Sequence, residues 1–302
     1  MNEKNKGDFE LLDELAACAA EKKYPIYRLA MYKDGELRER ELIPAPECVA
    51  LYSVSKNFIT AACGMAIDDG AISYDTTVWE LFHEKKPYLN EIWKKVTLET
   101  VLSQTTGQGG MFLDIDCGDA FSWEADWLDS VLKIPFAAEP GERFAYTDSN
   151  FYIASRMLSA SIGMTASEFL SHRLFERMKM QGWAWACCPM GYAVGGSGLY
   201  LRCRDMAKFG AMMLSHGEFE GERYLSEDFC RRALSPISHP DENTDYGLSF
   251  WLPKGEKKCA FRCSGMNNQV IWGSKNDGFA IAWQAYDPSG SADREFTGIL
   301  NR

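Results

Sequence analysis

"LYSVSKNFITAACGMAIDDG", residues 51–70, decides how this chain is read. It sets Ser53 and Lys56 three residues apart, where a long apolar run begins. Phe58, Ala62 and Met65 recur at helical spacing, with Ile59, Cys63 and Ala66 beside them. A helix apolar almost all round should be buried, and Gly70 is placed to cap its end. On one helix face the Lys56 amine can reach the Ser53 hydroxyl. Burial pushes a lysine toward its neutral, basic form, and the helix N-terminus offers N–H groups and a positive field to a developing oxyanion. Ser-x-x-Lys here is therefore a sensible acylation device, provided Lys56 is uncharged.

The tetrapeptide alone is a weak signal. It also reads as a serine N-cap followed by a solvated lysine. The chain holds a second copy, Ser130-Val131-Leu132-Lys133, in an ordinary amphipathic stretch that is assigned no role.

Working outward, residues 8–23 read as a helix with Leu11, Leu12, Leu15 and Ala19 on one face. "IYRLAMYKDGELRERELI" predicts two strands turning at Asp34-Gly35. From about 75 to 235 the pattern is mostly helical, broken by "EPGER" and "GYAVGGSGLY". The last third returns to strands in "YGLSFWL", "CAFRCSG" and "QVIWGSKNDGFAIAWQAY", and residues 291–300 can close with a helix. The fold class expected is α+β: an antiparallel sheet built from both chain ends, flanked by helices, with a mainly helical region inserted. It is read as one catalytic domain over 1–302, with an α/β part at about 1–60 and 195–302 and a helical part at about 61–194.

Bulk composition narrows the function classes. The 302 residues are 46% hydrophobic and 25% charged, which suits a well-buried globule. A net charge of -11 repels phosphate backbones and anionic membranes, so neither nucleic acid nor membrane is expected as a partner. No apolar run approaches the ~18 residues of a membrane span, and the charged N-terminus lacks a signal-peptide core. A cytoplasmic location is expected. Ten cysteines without C-x-x-C read as reduced, mostly buried thiols. The four histidines lack metal-ligand spacing, so no metal and no cofactor are expected. "DIDCGD" at 114–119 lacks a calcium loop's spacing, "GQGG" after Thr106 is a turn, and G-x-S-x-G is absent. Tryptophans such as Trp123, Trp127, Trp183 and Trp185 either pack a core or line an acyl pocket.

Several ordered segments together carry a resemblance. "LYSVSKNF" looks like a nucleophile motif, and "DGAISYDTTVWELF" like the stretch after its helix. "VLSQTTG", "PGERFAYTDSNFYIASRML", "GGSGLYLRCRDMAKFGAMML" and "FRCSGMNNQVIW" follow in the same order. From about residue 25 onward the chain resembles the serine β-lactamase and penicillin-binding superfamily, in its class C branch with related esterases and amide hydrolases. The resemblance implies Ser53 as acylated nucleophile, Lys56 as its proton acceptor, and Tyr146 as the phenol that shuttles a proton to the leaving group. It implies the backbone N–H groups of Ser53 and Met266 as the oxyanion hole. Asp148, Cys263, Ser264 and Gly265 fall at the substrate pocket.

Two departures bear on chemistry. Asp148 stands where the family more often has asparagine, and a carboxylate near Lys56 would favour its charged form. Cys263 replaces the basic residue of the third motif, so an anionic β-lactam should be a poor substrate. Gln104 replaces a histidine and reads as structural, and Gln269 is placed at the pocket mouth. The leading expectation is a serine hydrolase that acylates itself on a small ester or amide. The alternatives are a β-lactamase or D-amino-acid peptidase, and a non-catalytic ligand-binding relative. Loops around 108–125 and 185–197 would set the substrate.

Overall fold

The computed structural model describes residues 9–109 and 124–302. The 114–119 stretch, Trp123 and most of the 108–125 loop lie outside the described residues. Helix α1 (Glu10–Lys22) leads into β1 (Ile26–Lys33) and β2 (Glu36–Glu41). Asp34 and Gly35 between them both take positive φ, 49° and 80°, as a two-residue hairpin requires. A short β3 (Val49–Ala50) runs into a 3₁₀ turn (Tyr52–Val54) and then α2 (Ser55–Asp68).

The helical region holds α3 (Val78–Phe82), α4 (Leu98–Leu102), α5 (Trp127–Leu132), α6 (Asp148–Ile162) and α7 (Ala166–Leu170). Strands β4 (Ala184–Trp185) and β5 (Leu199–Leu201) join β3 in a small sheet. Helix α8 (Cys203–Leu214), the hairpin β6 (Glu218–Phe219) and β7 (Glu222–Arg223), and α9 (Glu227–Ala233) follow. The chain closes with β8 (Thr244–Tyr246), β9 (Trp251–Pro253), β10 (Cys259–Gly265), β11 (Gln269–Ser274), β12 (Phe279–Ala285) and α10 (Ser291–Leu300).

The main sheet has the order β2-β1-β12-β11-β10-β9-β8, antiparallel throughout. The two chain ends meet inside it, where Ala30 of β1 pairs with Ala282 of β12. Side chains alternate between faces. Trp272, Ile281 and Trp283 pack with Leu12 and Leu15 of α1 and Phe296 of α10. The opposite face carries Ala30, Ala280, Ala282 and Gly273, and this small surface admits α8 closely. A Cβ on Gly210 of α8 would fall 2.7 Å from the Ile271 methyl. Helix α2 lies in this larger cluster, and every residue from Ser55 to Ala66 is buried. Gly64 is pressed against the Phe229 ring, where a Cβ would sit at 2.4 Å.

Of two local expectations, one holds and one shifts. Gly70 does close α2: it takes φ 73°, and the Ala71 N–H reaches the Ala66 carbonyl at 2.9 Å. "YGLSFWL" is not one strand. It bends between β8 and β9, with Ser249 at φ 66°. The bend is tied to α2, because the Asn57 amide donates to the Ser249 carbonyl at 2.8 Å.

Candidate active site

Ser53 sits in the 3₁₀ turn just ahead of α2 and caps no helix with its side chain. Tyr52 before it takes φ 48°, a costly backbone for a bulky residue. Two contacts hold this turn against the sheet. A Cβ on Gly265, at the end of β10, would fall 2.3 Å from the Leu51 carbonyl oxygen, so only glycine allows this approach. The Asn267 amide, in the turn after β10, donates to the Tyr52 hydroxyl at 3.1 Å. Met266 lies in the same turn, 60% exposed, and no acceptor among the described residues takes its N–H.

Lys56 points back along α2 and donates to Ser53 Oγ at 2.9 Å. Its other two protons go to Asp148 Oδ1 at 2.5 Å and to the Gly196 carbonyl at 2.8 Å. The side chain is 1% exposed, and its Nζ lies 4.8 Å from the centre of the Tyr146 ring. These contacts correct the expected charge state. Burial alone would lower the Lys56 ammonium, but Tyr146 and Asp148 outweigh it and hold the group above the usual lysine value. In this geometry Lys56 is a charged donor to Ser53 and not a free amine.

Asp148 is the first residue of α6, and the loop holding Gly196 packs directly on it. A Cβ on Gly196 would come within 2.6 Å of the Asp148 Cβ. Gln104 supports the same corner. With φ 62°, it donates to the Thr147 carbonyl at 3.0 Å and accepts from the Asn150 amide at 2.7 Å. It thereby fixes the segment carrying Tyr146, the structural role expected of it.

Tyr146 belongs to an aromatic group. It stacks on Trp251 with centroids 5.6 Å apart, and Phe144 and Tyr246 pack around the pair. Nothing in the local pattern marked Gly196, Tyr246 or Trp251 as neighbours of Tyr146 and Lys56. Only the glycine-rich run around Gly196 hinted at a close backbone approach.

Cys263 is fully buried in the core cluster, on the β10 face that also carries Phe261. Burial pushes its thiol well above the usual cysteine range, so it stays neutral. Ser264 and Gly265 are half-buried. Gln269 is buried too, donating to the Ala285 carbonyl at 2.6 Å, and lines a groove with Tyr27, Tyr52 and Tyr286. Trp127 and Trp185 are core residues, and Trp183 packs on Phe175.

Fold and sequence define the class together: the chain belongs to the beta-lactamase family, whose family model matches residues 14–300. Among solved structures, a Bacillus anthracis protein provisionally called a 6-aminohexanoate-dimer hydrolase matches with TM-score 0.78 at 18% identity, over 96% of this chain and 80% of that one. A penicillin-binding protein homologue from Caulobacter crescentus matches with TM-score 0.78 at 14% identity, over 97% and 96%. A family VIII carboxylesterase matches with TM-score 0.76 at 13% identity, over 97% of both chains. At such identities the likeness shows the fold. No helix among the described residues is long and apolar enough to cross a membrane.

Proposed function

We propose that the chain is a serine hydrolase that forms and hydrolyses an acyl-enzyme on a small ester or amide. The observation that carries this is the 2.9 Å contact between Ser53 Oγ and a fully buried Lys56 Nζ. Ser53 attacks the carbonyl carbon, and its proton passes by way of Lys56 and Tyr146 to the leaving group. The backbone N–H groups of Ser53 and Met266 receive the oxyanion. Lys56 starts from its charged form, so it must release a proton before it can accept one.

A neutral substrate is favoured over an anionic β-lactam. The position where the family carries a base holds the neutral, buried Cys263, which offers no cation to a substrate carboxylate. The decisive experiment is intact-mass analysis with a fluorophosphonate probe, followed by an ester, amide and β-lactam panel. The expected result is one covalent adduct, lost in Ser53→Ala. An adduct that survives that substitution sinks the reading.

A further inference from the structure

Lys56 has three N–H donors and all three are engaged, on Ser53 Oγ, Asp148 Oδ1 and the Gly196 carbonyl. It therefore has no lone pair with which to take the Ser53 proton. One of its protons must leave first. Of its three hydrogen-bond acceptors, the Gly196 amide carbonyl is too weak a base to hold a proton, and Ser53 is the group to be deprotonated; the neighbouring Tyr146 is a phenol, a far weaker proton acceptor than a carboxylate. Asp148 remains. The geometry points to Asp148 as the proton store of this site, a positioning residue that acts on Ser53 through Lys56. This inference rests on the serine-hydrolase reading above and adds to it.

The steps balance. An Nζ–H bond of Lys56 breaks and an O–H bond forms on Asp148 Oδ1, turning ammonium and carboxylate into amine and carboxylic acid. The freed lone pair on Nζ takes the Ser53 proton while Oγ bonds to the substrate carbonyl carbon. The carbonyl π electrons move onto the oxygen. On collapse the bond to the leaving group breaks. The leaving group receives a proton from Lys56, directly or by way of Tyr146. Asp148 then returns its proton to Lys56.

The surroundings suit such an exchange. Neither partner has a second ion-pair partner among the described residues. Among the described residues, the titratable groups around this pair are Tyr146, in the loop before α6 and against Lys56, and Tyr246 on β8, whose buried phenol is pushed well up by burial and then by Tyr146. The loop at Gly196 presents only backbone there, which is why its missing side chain matters. In a poorly solvated site the neutral amine–acid form loses less to desolvation than the ion pair does, so the two forms come closer in energy than they are in water.

The test is the second-order rate of fluorophosphonate labelling at Ser53 against pH, for the full chain and for Asp148→Asn. Wild type should show an acid limb set by adding a proton to the Lys56–Asp148 pair. Asp148→Asn should label ~100-fold or more slowly near pH 7. Its acid limb should move to higher pH, and its deficit should shrink as the medium itself deprotonates Lys56. Should Asp148→Asn fail to fold, Asp148→Glu decides: it keeps a carboxylate, so its acid limb should stay at the wild-type position. A uniform loss with an unmoved limb, or labelling as fast as wild type near pH 7, overturns the inference and leaves the hydrolase reading intact. A wild-type chain that never labels at Ser53 overturns both.

Discussion

The chain contains Ser-x-x-Lys twice, and the two copies share nothing but the pattern. At Ser53 the lysine is 1% exposed, with all its protons donated to partners from three separate segments. At Ser130 the copy runs through the end of α5. Ser130 Oγ accepts the Glu124 N–H at 2.9 Å, and Lys133, half exposed, reaches Glu124 at 2.8 Å. Its lysine and serine serve a surface turn. Spacing on a helix makes a contact possible, whereas burial and distant partners give that contact chemical force.

Exchanging serine for alanine at each copy should produce the largest contrast. Ser53→Ala should lose labelling and roughly 10⁴-fold or more of any turnover, while Ser130→Ala keeps both. Active-site labelling and ester hydrolysis measure it directly, and equal losses would erase the distinction. Next comes the lysine. Lys56→Met leaves the Asp148 carboxylate buried without its cation and should cost about 3–5 kcal/mol by urea denaturation. Lys133→Met loses a surface pair and should stay within about 0.5 kcal/mol. A smaller effect is expected from the backbone behind the first copy. Gly196→Ala drives a Cβ into Asp148 and should destabilise by about 1–3 kcal/mol while slowing labelling.

A pH-dependent effect belongs to the second copy's helix. Asp126 caps α5 by accepting the Leu128 N–H. Burial would raise its carboxyl, but Arg156 and Lys86 overcome that and hold it at about 2. A carboxyl depressed in the folded state contributes stability above its unfolded value, near 3.9, and loses it as pH falls through the folded one. Asp126→Asn should therefore cost up to about 2.6 kcal/mol at pH 7, and the gap to wild type should close between about pH 4 and pH 2. Thermal melts over that range check the sign.

What the sequence made legible was what local chemistry determines. The Asp34-Gly35 hairpin, the all-round apolar α2 and the closing α10 depend on residues close in the chain, and all three stand in the structure. The sharing of one sheet by both ends followed from strand patterns alone. The charge on Lys56 did not. It depends on Tyr146 and Asp148, the latter 92 positions away; the motif comparison named that carboxylate, but only the fold brings it to the lysine. The bend at Ser249 hid for the same reason, held by Asn57 across 192 positions. Cys263 differs again: its motif position said nothing of depth, and the pleat of β10 puts its side chain in the buried cluster on the face that carries Phe261.

Strand β1 finds its inner neighbour only in β12, more than two hundred residues later. During synthesis the early hairpin must wait with the inner edge of β1 unsatisfied until β12 has been made. Late closure of this kind predicts slow folding and a period in which a fresh chain is vulnerable to strand-to-strand association.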